Sequence, residues 1–259
     1  MGRKTIDRTG EKGVNNFGSE MVIVEYRKWN DVDIYFPKYN WTFKHGEYKN
    51  FKKGNVKCPY EPRVYGVGYL GEGKYKMSEN GKHVDKYVTW HDMLKRCYDP
   101  KYHEICSTYK GCKVEDDWLN FQNAAEWIDK NYYEVPGEKM CLDNDILYKK
   151  NKLYSKETCI FVPERINTLF VKSDKARGKS PIGVTPSLSG TYLVQCSNKY
   201  GKSVYLGTYN SEEEAFQVYK QYKEKVIKEI IDLYEGKIPE PHYSRLREAM
   251  YNYEVEIDD

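Results

Sequence analysis

Three consecutive residues in the middle of the chain, Asp143, Asn144 and Asp145, have side chains suited to metal chemistry. They follow a short apolar run that begins at Met140, and a further amide, Asn167, comes after the next apolar run. Carboxylate and amide oxygens are hard ligands, and a small set of them suits one divalent cation that keeps open positions for water. The alternative is a surface turn plus an unrelated polar residue, because Asp and Asn are common in turns.

The residues around this triplet predict a strand, a loop, a strand and a helix. A basic loop at residues 149–152 separates the first apolar run from a second one at 159–162. Pro163 follows, where a helix can begin because proline at the first helical position loses no hydrogen bond. We therefore expect a ββα unit that brings the carboxylates at the end of its first strand and the amide on its helix to one side.

This stretch resembles the ββα-metal motif of HNH homing endonucleases, especially those encoded in phage introns. In that family the first strand ends in an Asp-His pair. The second strand reads roughly Asn-Leu-Arg-Trp-Val-Thr and is followed by a helical Asn; its counterpart here begins at Thr158. The resemblance implies that Asp143 and Asn167 bind one Mg²⁺ or Mn²⁺ ion, and zinc is not expected.

The chain departs from the family at the catalytic position. Asn144 stands where the family has its catalytic His, and an amide cannot act as a general base. A general base contributes roughly 10²–10⁴-fold to a rate, so its loss matters. Asp145 is the neighbouring carboxylate that could activate water or help to hold the metal, unless His91 or His103 approaches in space. Arg165, on the predicted helix, is a candidate for steadying the phosphate.

The last part of the chain, from Pro181, predicts a three-stranded antiparallel sheet crossed by one amphipathic helix. The predicted strands are 182–184, 192–197 and 203–209. Ser211, with Glu214 three residues later, forms a capping box at the start of the helix.

This segment resembles the Apetala2-type (ethylene-response-factor) DNA-binding domain. The matching features are Gly183-Val184, Gly190-Thr191-Tyr192, Gly201-Lys202 and Leu206-Gly207-Thr208-Tyr209, followed by the capped helix. In that family the sheet face away from the helix lies in the major groove of DNA. The alternative is a structural domain without DNA contact, because the arginines that the family uses are absent at Leu193, Gln195 and Ser203.

The resemblance and strand alternation together give a set of expected DNA contacts. On the sheet face these are Leu193, Gln195, Ser197, Ser203 and Tyr205. Gln195 is suited to reading adenine, and Lys199 and Lys202, at the turn, would meet phosphates. Before the domain, the basic linker residues Lys172, Lys175 and Arg177 would follow the DNA backbone.

Composition narrows the class of protein further. The chain has 259 residues and a net charge of +3, with its Lys and Arg residues clustered in strips that suit a polyanion. No apolar run approaches the roughly 18 residues of a membrane span, and the N-terminus has no signal-peptide core. Seven cysteines without framework spacing indicate reduced thiols in a cytoplasm. Cys97, His103, Cys106 and Cys112 have irregular spacing for zinc.

Several local predictions complete the reading. Strands are expected at 21–26, 32–36, 41–43 and 48–51, and a helix with its apolar face at Trp90, Met93, Leu94 and Cys97 is expected from residue 87. Residues 101–113 are expected to form a loop. Trp118, Phe121, Ala125 and Ile128 mark a second helix, and the acidic tail from Glu254 to Asp259 is expected to be exposed.

We therefore predict an α+β, multidomain protein. Its parts would be a small β module with a loose arm at 1–85, an HNH-like ββα-metal domain at 86–176 and an Apetala2-like domain with the acidic tail at 177–259. The expected function is phage-type, metal-dependent cleavage of double-stranded DNA by a cytoplasmic protein, most simply a monomer, without a membrane partner. The alternative is a catalytically inactive, sequence-specific DNA-binding protein or regulator that keeps the HNH-like scaffold.

Overall fold

The computed structural model describes residues 6–171 and 180–257. The chain divides into two compact units, Met1–Lys130 and Asn131–Asp259, and mixes helices with several small antiparallel sheets. The predicted α+β, multidomain class is therefore confirmed. The three-part division at 85/86 and 176/177 stays a prediction. Lys172, Lys175 and Arg177 lie outside the described residues, as do Asp258 and Asp259 of the predicted tail.

The N-terminal unit begins with a four-stranded antiparallel sheet. Its strands, in spatial order, are β1 (Lys12–Val14), β2 (Glu20–Lys28), β3 (Asp31–Phe36) and β4 (Trp41–Gly46). Because side chains alternate along β2 and β3, those of Met21, Ile23, Ile34 and Phe36 lie on the same face of the sheet and pack into one buried core. The predicted hairpin across residues 29–31 and the strand at 41–43 are confirmed.

The strand predicted at 48–51 is wrong, because these residues form a short helix, α1 (Tyr48–Lys52). Tyr48 and Phe51 are spaced i, i+3, so one helical turn places both rings on the same side, with centroids 6.2 Å apart. Phe51 is buried in the sheet core. A four-residue segment with two aromatic residues is compatible with a strand or a helix. The helix forms here because it buries Phe51 against the sheet.

The rest of this unit is mainly helical. Its elements are β5 (Ser78–Glu79), β6 (Lys82–His83), α2 (Asp85–Tyr98), α3 (Pro100–Ile105), a 3₁₀ turn at Ser107–Tyr109, β7 (Lys113–Val114), a 3₁₀ turn at Asp116–Leu119 and α4 (Phe121–Asn131). The predicted apolar face of α2 is buried. Trp90 connects α2 to the second predicted helix, since its indole N–H donates to the Trp118 carbonyl at 2.7 Å and its ring centroid lies 5.4 Å from that of Phe121.

The loop predicted at 101–113 is partly wrong, because α3 forms within it. Asp99 ends α2 and its carboxylate accepts the Lys101 amide at 3.0 Å, so the same residue caps the next helix. Pro100 takes the first helical position, where its missing N–H costs nothing.

In the second unit, β8 (Met140–Asp143) pairs with β10 (Ile160–Pro163) in an antiparallel hairpin, with Ile160 opposite Asp143. The loop between them contains β9 (Leu153–Tyr154), and β10 is followed by α5 (Glu164–Asn167) and a 3₁₀ turn at Thr168–Phe170. The structure thus contains the predicted strand, loop, strand and helix. Pro163 is the last residue of β10 rather than the first of the helix, and the regular helix ends at Asn167.

The C-terminal sheet consists of β11 (Val184–Pro186), β12 (Tyr192–Ser197) and β13 (Ser203–Tyr209), in that order. The long helix α6 (Glu212–Asp232) begins at the predicted cap, where the Ser211 hydroxyl accepts the Glu214 amide at 3.1 Å. Val194 and Cys196 point from β12 into the core beneath the helix. The predicted sheet-plus-helix arrangement is confirmed, although the first strand begins at Val184 and not at residue 182, because the chain turns there and the Val184 amide donates to the Pro181 carbonyl.

The end of the chain differs from the prediction of an exposed acidic tail. A further helix, α7 (His242–Tyr251), buries Tyr243, Leu246 and Met250 at i, i+3 and i+7. Beyond it Val255 is buried, with its amide donating to Glu224 at 3.0 Å and its carbonyl accepting from Lys220 at 2.9 Å. Val255, which lies between Glu254 and Glu256, therefore holds the end of the chain against α6.

Within residues 6–171 and 180–257, none of the helices combines the length and the apolar character that a membrane span requires.

Candidate metal centre and sheet face

The acidic triplet forms a tight turn at the end of β8. One carboxylate oxygen of Asp143, Oδ1, accepts two backbone amides, from Asp145 at 2.9 Å and from Ile146 at 2.8 Å. These bonds fix the orientation of the Asp143 side chain. Ile146 is buried, which anchors the end of the turn in the core of the second unit.

The carboxyl groups of Asp143 and Asp145 lie within hydrogen-bond reach of each other. Burial of Asp143 and the negative charge of Asp145 raise the pKa of Asp143 to about 7, although the two backbone amides act in the opposite direction. A cation placed between two such carboxyl groups would relieve the repulsion between their negative charges.

Asn144, at the position of the family's catalytic His, has a structural role. It is 7% exposed, its Nδ2 donates to the Asn151 carbonyl at 3.4 Å, and its own carbonyl accepts Asn151 Nδ2 at 2.6 Å. These contacts hold the two ends of the loop between β8 and β9 together. The Asn144 side chain therefore stabilises this loop.

Asn167, the second predicted metal ligand, is the last residue of α5. This helix packs against β8, the strand that ends in Asp143, and its first amide, from Glu164, donates to the Lys139 carbonyl at 2.7 Å. The Asn167 side chain is half-buried, and none of the described residues hydrogen-bonds to it. Its amide oxygen is thus available to a ligand.

Arg165, the predicted phosphate contact, points instead to the C-terminal sheet. Its guanidinium donates to the Lys199 carbonyl, in the turn between β12 and β13. In the same part of the unit the Tyr234 hydroxyl donates to Glu138 at 2.9 Å. Arg165 therefore links the helix of the ββα unit to the turn that was predicted to meet DNA phosphates.

The predicted DNA-contacting side chains share the sheet face away from α6. Gln195 lies opposite Tyr205 and Ser197 opposite Ser203, and all four are exposed, with Tyr205 at 59%. Leu193, opposite Thr208, is half-buried.

The register is interrupted by a bulge after Val194, where Gly207 has a φ of 130°. The Tyr205 hydroxyl is 2.8 Å from the Thr208 hydroxyl, so Thr208 belongs to the same face although the sequence prediction missed it.

The two lysines of the neighbouring turn differ in their surroundings. Lys199 has its Nζ 3.6 Å from a Glu229 carboxylate and 5.6 Å from the Tyr200 ring centroid. Lys202 is exposed, and its backbone amide donates to the Asn198 side chain at 3.1 Å. The basic loop after the acidic turn is already paired, since Lys150 lies 2.5 Å and Lys149 3.5 Å from Glu256.

A second cluster of metal-ligand residue types, which the sequence prediction missed, lies on the N-terminal sheet. The ligand atoms of Asp31, Asp33 and His45 lie within 4.8 Å of one another. Arg27 already occupies it, with bonds of 2.9 Å to Asp31 and 3.0 Å to each oxygen of Asp33, and His45 Nδ1 lies 2.9 Å from Asp31. Strand alternation predicts that Asp31 and Asp33 lie on one side of β3. Arg27 and His45 come from the neighbouring strands β2 and β4, so their approach depends on the folded sheet.

The four residues considered for zinc lie in the N-terminal unit. His103 Nε2 is 2.8 Å from the Arg96 carbonyl, and Cys97 and Cys112 are buried. Burial raises the pKa of the Cys97 thiol to about 12, which keeps it in the protonated form that binds metals poorly. His91 also lies in this unit, 3.7 Å from Asp92.

Comparison with known proteins gives no relative from which a function can be transferred: no protein-family model, no curated protein and no solved structure matches the chain significantly.

Proposed function

We propose that the protein binds double-stranded DNA through the exposed face of its C-terminal sheet and cuts a phosphodiester bond with one divalent cation, Mg²⁺ or Mn²⁺, held at the acidic turn. The observation that carries this proposal is the contact between the Asp143 and Asp145 carboxyl groups at the end of β8, inside a ββα unit. The remainder of the unit supports it, because α5 packs against β8 and carries Asn167, to whose side chain none of the residues in 6–171 and 180–257 hydrogen-bonds.

The donor set fits a hard cation. Two backbone amides fix the Asp143 carboxylate through Oδ1, the exposed Asp145 carboxyl group lies beside it, and Asn167 offers an amide oxygen. Oxygen donors with positions left for water are what Mg²⁺ and Mn²⁺ prefer. When bound, such an ion polarises the phosphodiester and stabilises the charge on the leaving 3′ oxygen.

Asp145 is the residue that can take the proton of the attacking water. It is an exposed carboxylate beside Asp143, whereas Asn144 is an amide held by Asn151. In this scheme water forms the new bond to phosphorus, the bond to the 3′ oxygen breaks, and Asp145 accepts the proton that the water loses. Arg165 is a positioning residue, since its bond to the Lys199 carbonyl links α5 to the DNA-facing turn.

A second candidate is a protein that binds DNA through the same sheet without cutting it. The observation in its favour is the structural use of Asn144, which leaves the family's catalytic position without a base. Both candidates require the sheet face, so cleavage and binding need separate tests.

Cleavage is tested by incubating supercoiled plasmid with the parent protein and Mg²⁺ or Mn²⁺, beside Asp143→Ala and Asp116→Ala. Asp116 is an exposed acidic residue of the N-terminal unit and serves as the matched control. We expect metal-dependent nicking by the parent and the control, with a loss of at least about 10²-fold in Asp143→Ala. Equal nicking by the parent and Asp143→Ala, or none by any protein, would overturn the nuclease mechanism.

Binding is tested by gel shift with Gln195→Ala and Tyr205→Ala. Gln217→Ala is the matched control, because Gln217 is an exposed glutamine on α6, on the other side of the sheet. We expect each sheet-face variant to weaken binding about tenfold or more, and the control to bind as the parent does. Unchanged affinity in both sheet-face variants would remove this face as the DNA contact.

A further inference from the structure

A tight turn with two lysines at its corner, residues 148–151, is fastened to the acidic turn within the second unit. The Asn151 amide donates to the Tyr148 carbonyl at 2.9 Å and closes this lysine turn. Asn151 also donates through Nδ2 to the Asn144 carbonyl at 2.6 Å, between the two carboxylates of the candidate metal centre. The lysine turn therefore lies directly beside the place where the proposed cation would be held.

Lys150 occupies the position of the lysine turn that suits a lysine least. Its φ is 66°, in the left-handed region that glycine adopts without strain and that other residues adopt at a cost. Lys150 is exposed, so burial in the core does not account for a lysine at this position. Backbone strain of this kind is concentrated at functional sites, and what the chain gains here is one positive charge beside the acidic turn.

The carboxylate of Glu256 covers this charge in the free protein. Lys150 Nζ lies 2.5 Å from Glu256 Oε2, and Lys149 Nζ lies 3.5 Å from Glu256 Oε1. The side chains of Lys150 and Glu256 are 59% and 41% exposed. Exposed ion pairs of this kind contribute little to stability, because water and salt screen them. A DNA phosphate, which is also an anion with acceptor oxygens, can therefore replace the carboxylate at Lys150.

The segment that carries Glu256 is held by other contacts. Lys149 Nζ donates to the Glu254 carbonyl at 2.6 Å and lies 4.5 Å from the Tyr253 ring centroid. The neighbouring residue Val255 is buried, and both its amide and its carbonyl are bonded to side chains of α6. The Glu256 side chain can therefore turn away while the backbone of the segment stays in place, and Lys149 serves to hold that segment.

We propose that Lys150 is a contact for the DNA backbone beside the candidate metal centre, and that the Glu256 carboxylate competes with a DNA phosphate for it. The inference rests on the DNA binding proposed for this unit and adds a competitor that weakens it. A phosphate held by Lys150 would position the strand over the acidic turn without reading its sequence.

The experiment is a fluorescence-anisotropy titration of a labelled DNA duplex with the full chain, in chelator so that metal-dependent cleavage does not take place. Glu256→Gln is compared with Glu248→Gln, in which an exposed glutamate of α7 is replaced, because both substitutions change the net charge equally. We expect Glu256→Gln to tighten binding about threefold or more at low salt, and Glu248→Gln to bind as the parent does. The gain should shrink between about 50 mM and about 200 mM salt, because salt screens both contacts of Lys150.

Lys150→Gly separates a binding role from a structural one. Glycine relieves the left-handed backbone, so this variant should unfold at about the same urea concentration as the parent or at a higher one. It should nevertheless bind DNA about threefold more weakly or worse, because the phosphate contact is lost. When Glu256→Gln is added to Lys150→Gly, it should no longer tighten binding. Tightening that persists in this double variant would show that Glu256 does not act through Lys150.

The outcomes distinguish this inference from the proposed function. If the parent binds DNA and Glu256→Gln binds it equally well, the inference is overturned and the proposed function stands. If Glu256→Gln binds more tightly while Gln195→Ala and Tyr205→Ala keep full affinity, the inference is supported and the sheet face is removed as the DNA contact. If neither the parent nor Glu256→Gln binds DNA, both are overturned.

Discussion

Asn144 and Asn151 bind each other's backbone: Asn151 Nδ2 donates to the Asn144 carbonyl at 2.6 Å, and Asn144 Nδ2 donates to the Asn151 carbonyl at 3.4 Å. Asn151 also donates to the Leu153 carbonyl at 2.7 Å. The loop that follows the acidic turn is therefore closed by two side-chain amides. Because Asn144 lies between Asp143 and Asp145, the same closure fixes the backbone that carries both carboxylates.

We predict that Asn151→Ala lowers the free energy of unfolding by about 1–3 kcal/mol, because it leaves the carbonyl of buried Asn144 without this donor and removes one of the two donors to the Leu153 carbonyl, which keeps the Thr158 hydroxyl. Urea denaturation at pH 7 measures the change. Lys152→Ala is the control, since Lys152 is the exposed next residue, and it should change stability by less than about 0.5 kcal/mol. Equal effects of the two substitutions would show that the loop is not held by Asn151.

The shared carboxyl site predicts a pH dependence. In the unfolded chain Asp143 loses its proton near its ordinary pKa of about 3.9, whereas in the fold, without metal, burial and Asp145 keep it protonated up to a pKa of about 7. Between these values the folded state holds more protons than the unfolded state. The contribution of Asp143 to stability is therefore complete below about pH 4 and is lost as the pH rises to about 7.

The measurement is urea denaturation in chelator from pH 4 to 8, for the parent and for Asp143→Asn. The variant should lose less stability over this range than the parent, because its amide does not titrate. Asp145→Asn should lower the pKa of Asp143, seen by carbon-detected NMR, since a raising charge is removed while burial remains. Parallel pH profiles for the parent and Asp143→Asn would refute the assignment.

The sequence predicted those parts of the fold in which a local signal and the tertiary contacts agree. Ser211 and Glu214 identify the start of α6 because the capping bond is made within one turn. The apolar spacing of α2 likewise matches its buried face. Helix α1 could not be separated from a strand, because two aromatic residues at i, i+3 in so short a run take whichever form buries Phe51. Helix α7 did carry a readable spacing, from Tyr243 to Met250, after Pro241.

The candidate site shows the same limit. The residue types of Asp143 and Asp145 and their position after a strand were readable from sequence. The partnership of Asn144 with Asn151 was not, because the two are seven residues apart in an irregular loop. Nor was the bond from Arg165 to the Lys199 carbonyl, which depends on how the ββα unit packs beside the C-terminal sheet. Long-range polar contacts of this kind leave no periodic trace in a sequence.

Arg27 and Asp33 predict a second, opposite pH dependence. The Arg27 guanidinium is bound to both oxygens of buried Asp33 at 3.0 Å and holds the pKa of that carboxyl down at about 2. The stability from this pair is therefore present above the ordinary pKa of about 3.9 and is lost as the pH falls through about 2. We expect Arg27→Met to lower the free energy of unfolding at pH 7, because it leaves the buried Asp33 carboxylate without its charged partner.

Urea denaturation of Arg27→Met at pH 7 and at pH 2.5 measures this effect, with Lys28→Met as the exposed control on the same strand. The difference between Arg27→Met and the parent should shrink at the lower pH, where Asp33 begins to take up a proton. A difference that is the same at both pH values would mean that Arg27 stabilises the sheet through its apolar stem and not through its charge.

Substitutions at Gly183 and Gly190 distinguish the cost of a strained backbone from the cost of a steric clash in the C-terminal unit. Both have positive φ, 73° and 81°, but a Cβ at Gly183 would lie 2.0 Å from Tyr219 Cδ2 on α6, whereas none of the described atoms lies within 4 Å of one at Gly190. Gly190→Ala should cost about 1 kcal/mol for the left-handed conformation alone. Gly183→Ala should cost at least about 2 kcal/mol more, because the helix must also move away from the sheet.

Thermal and urea unfolding of the two variants compare these costs directly. If α6 packs on the sheet as described, Gly183→Ala should also weaken DNA binding, since the face that carries Gln195 and Tyr205 would shift with the strand register. Gly190→Ala lies in the turn before β12 and should bind as the parent does. Equal destabilisation by both substitutions would mean that Tyr219 does not press on Gly183, and that the sheet face is not held in place by this contact.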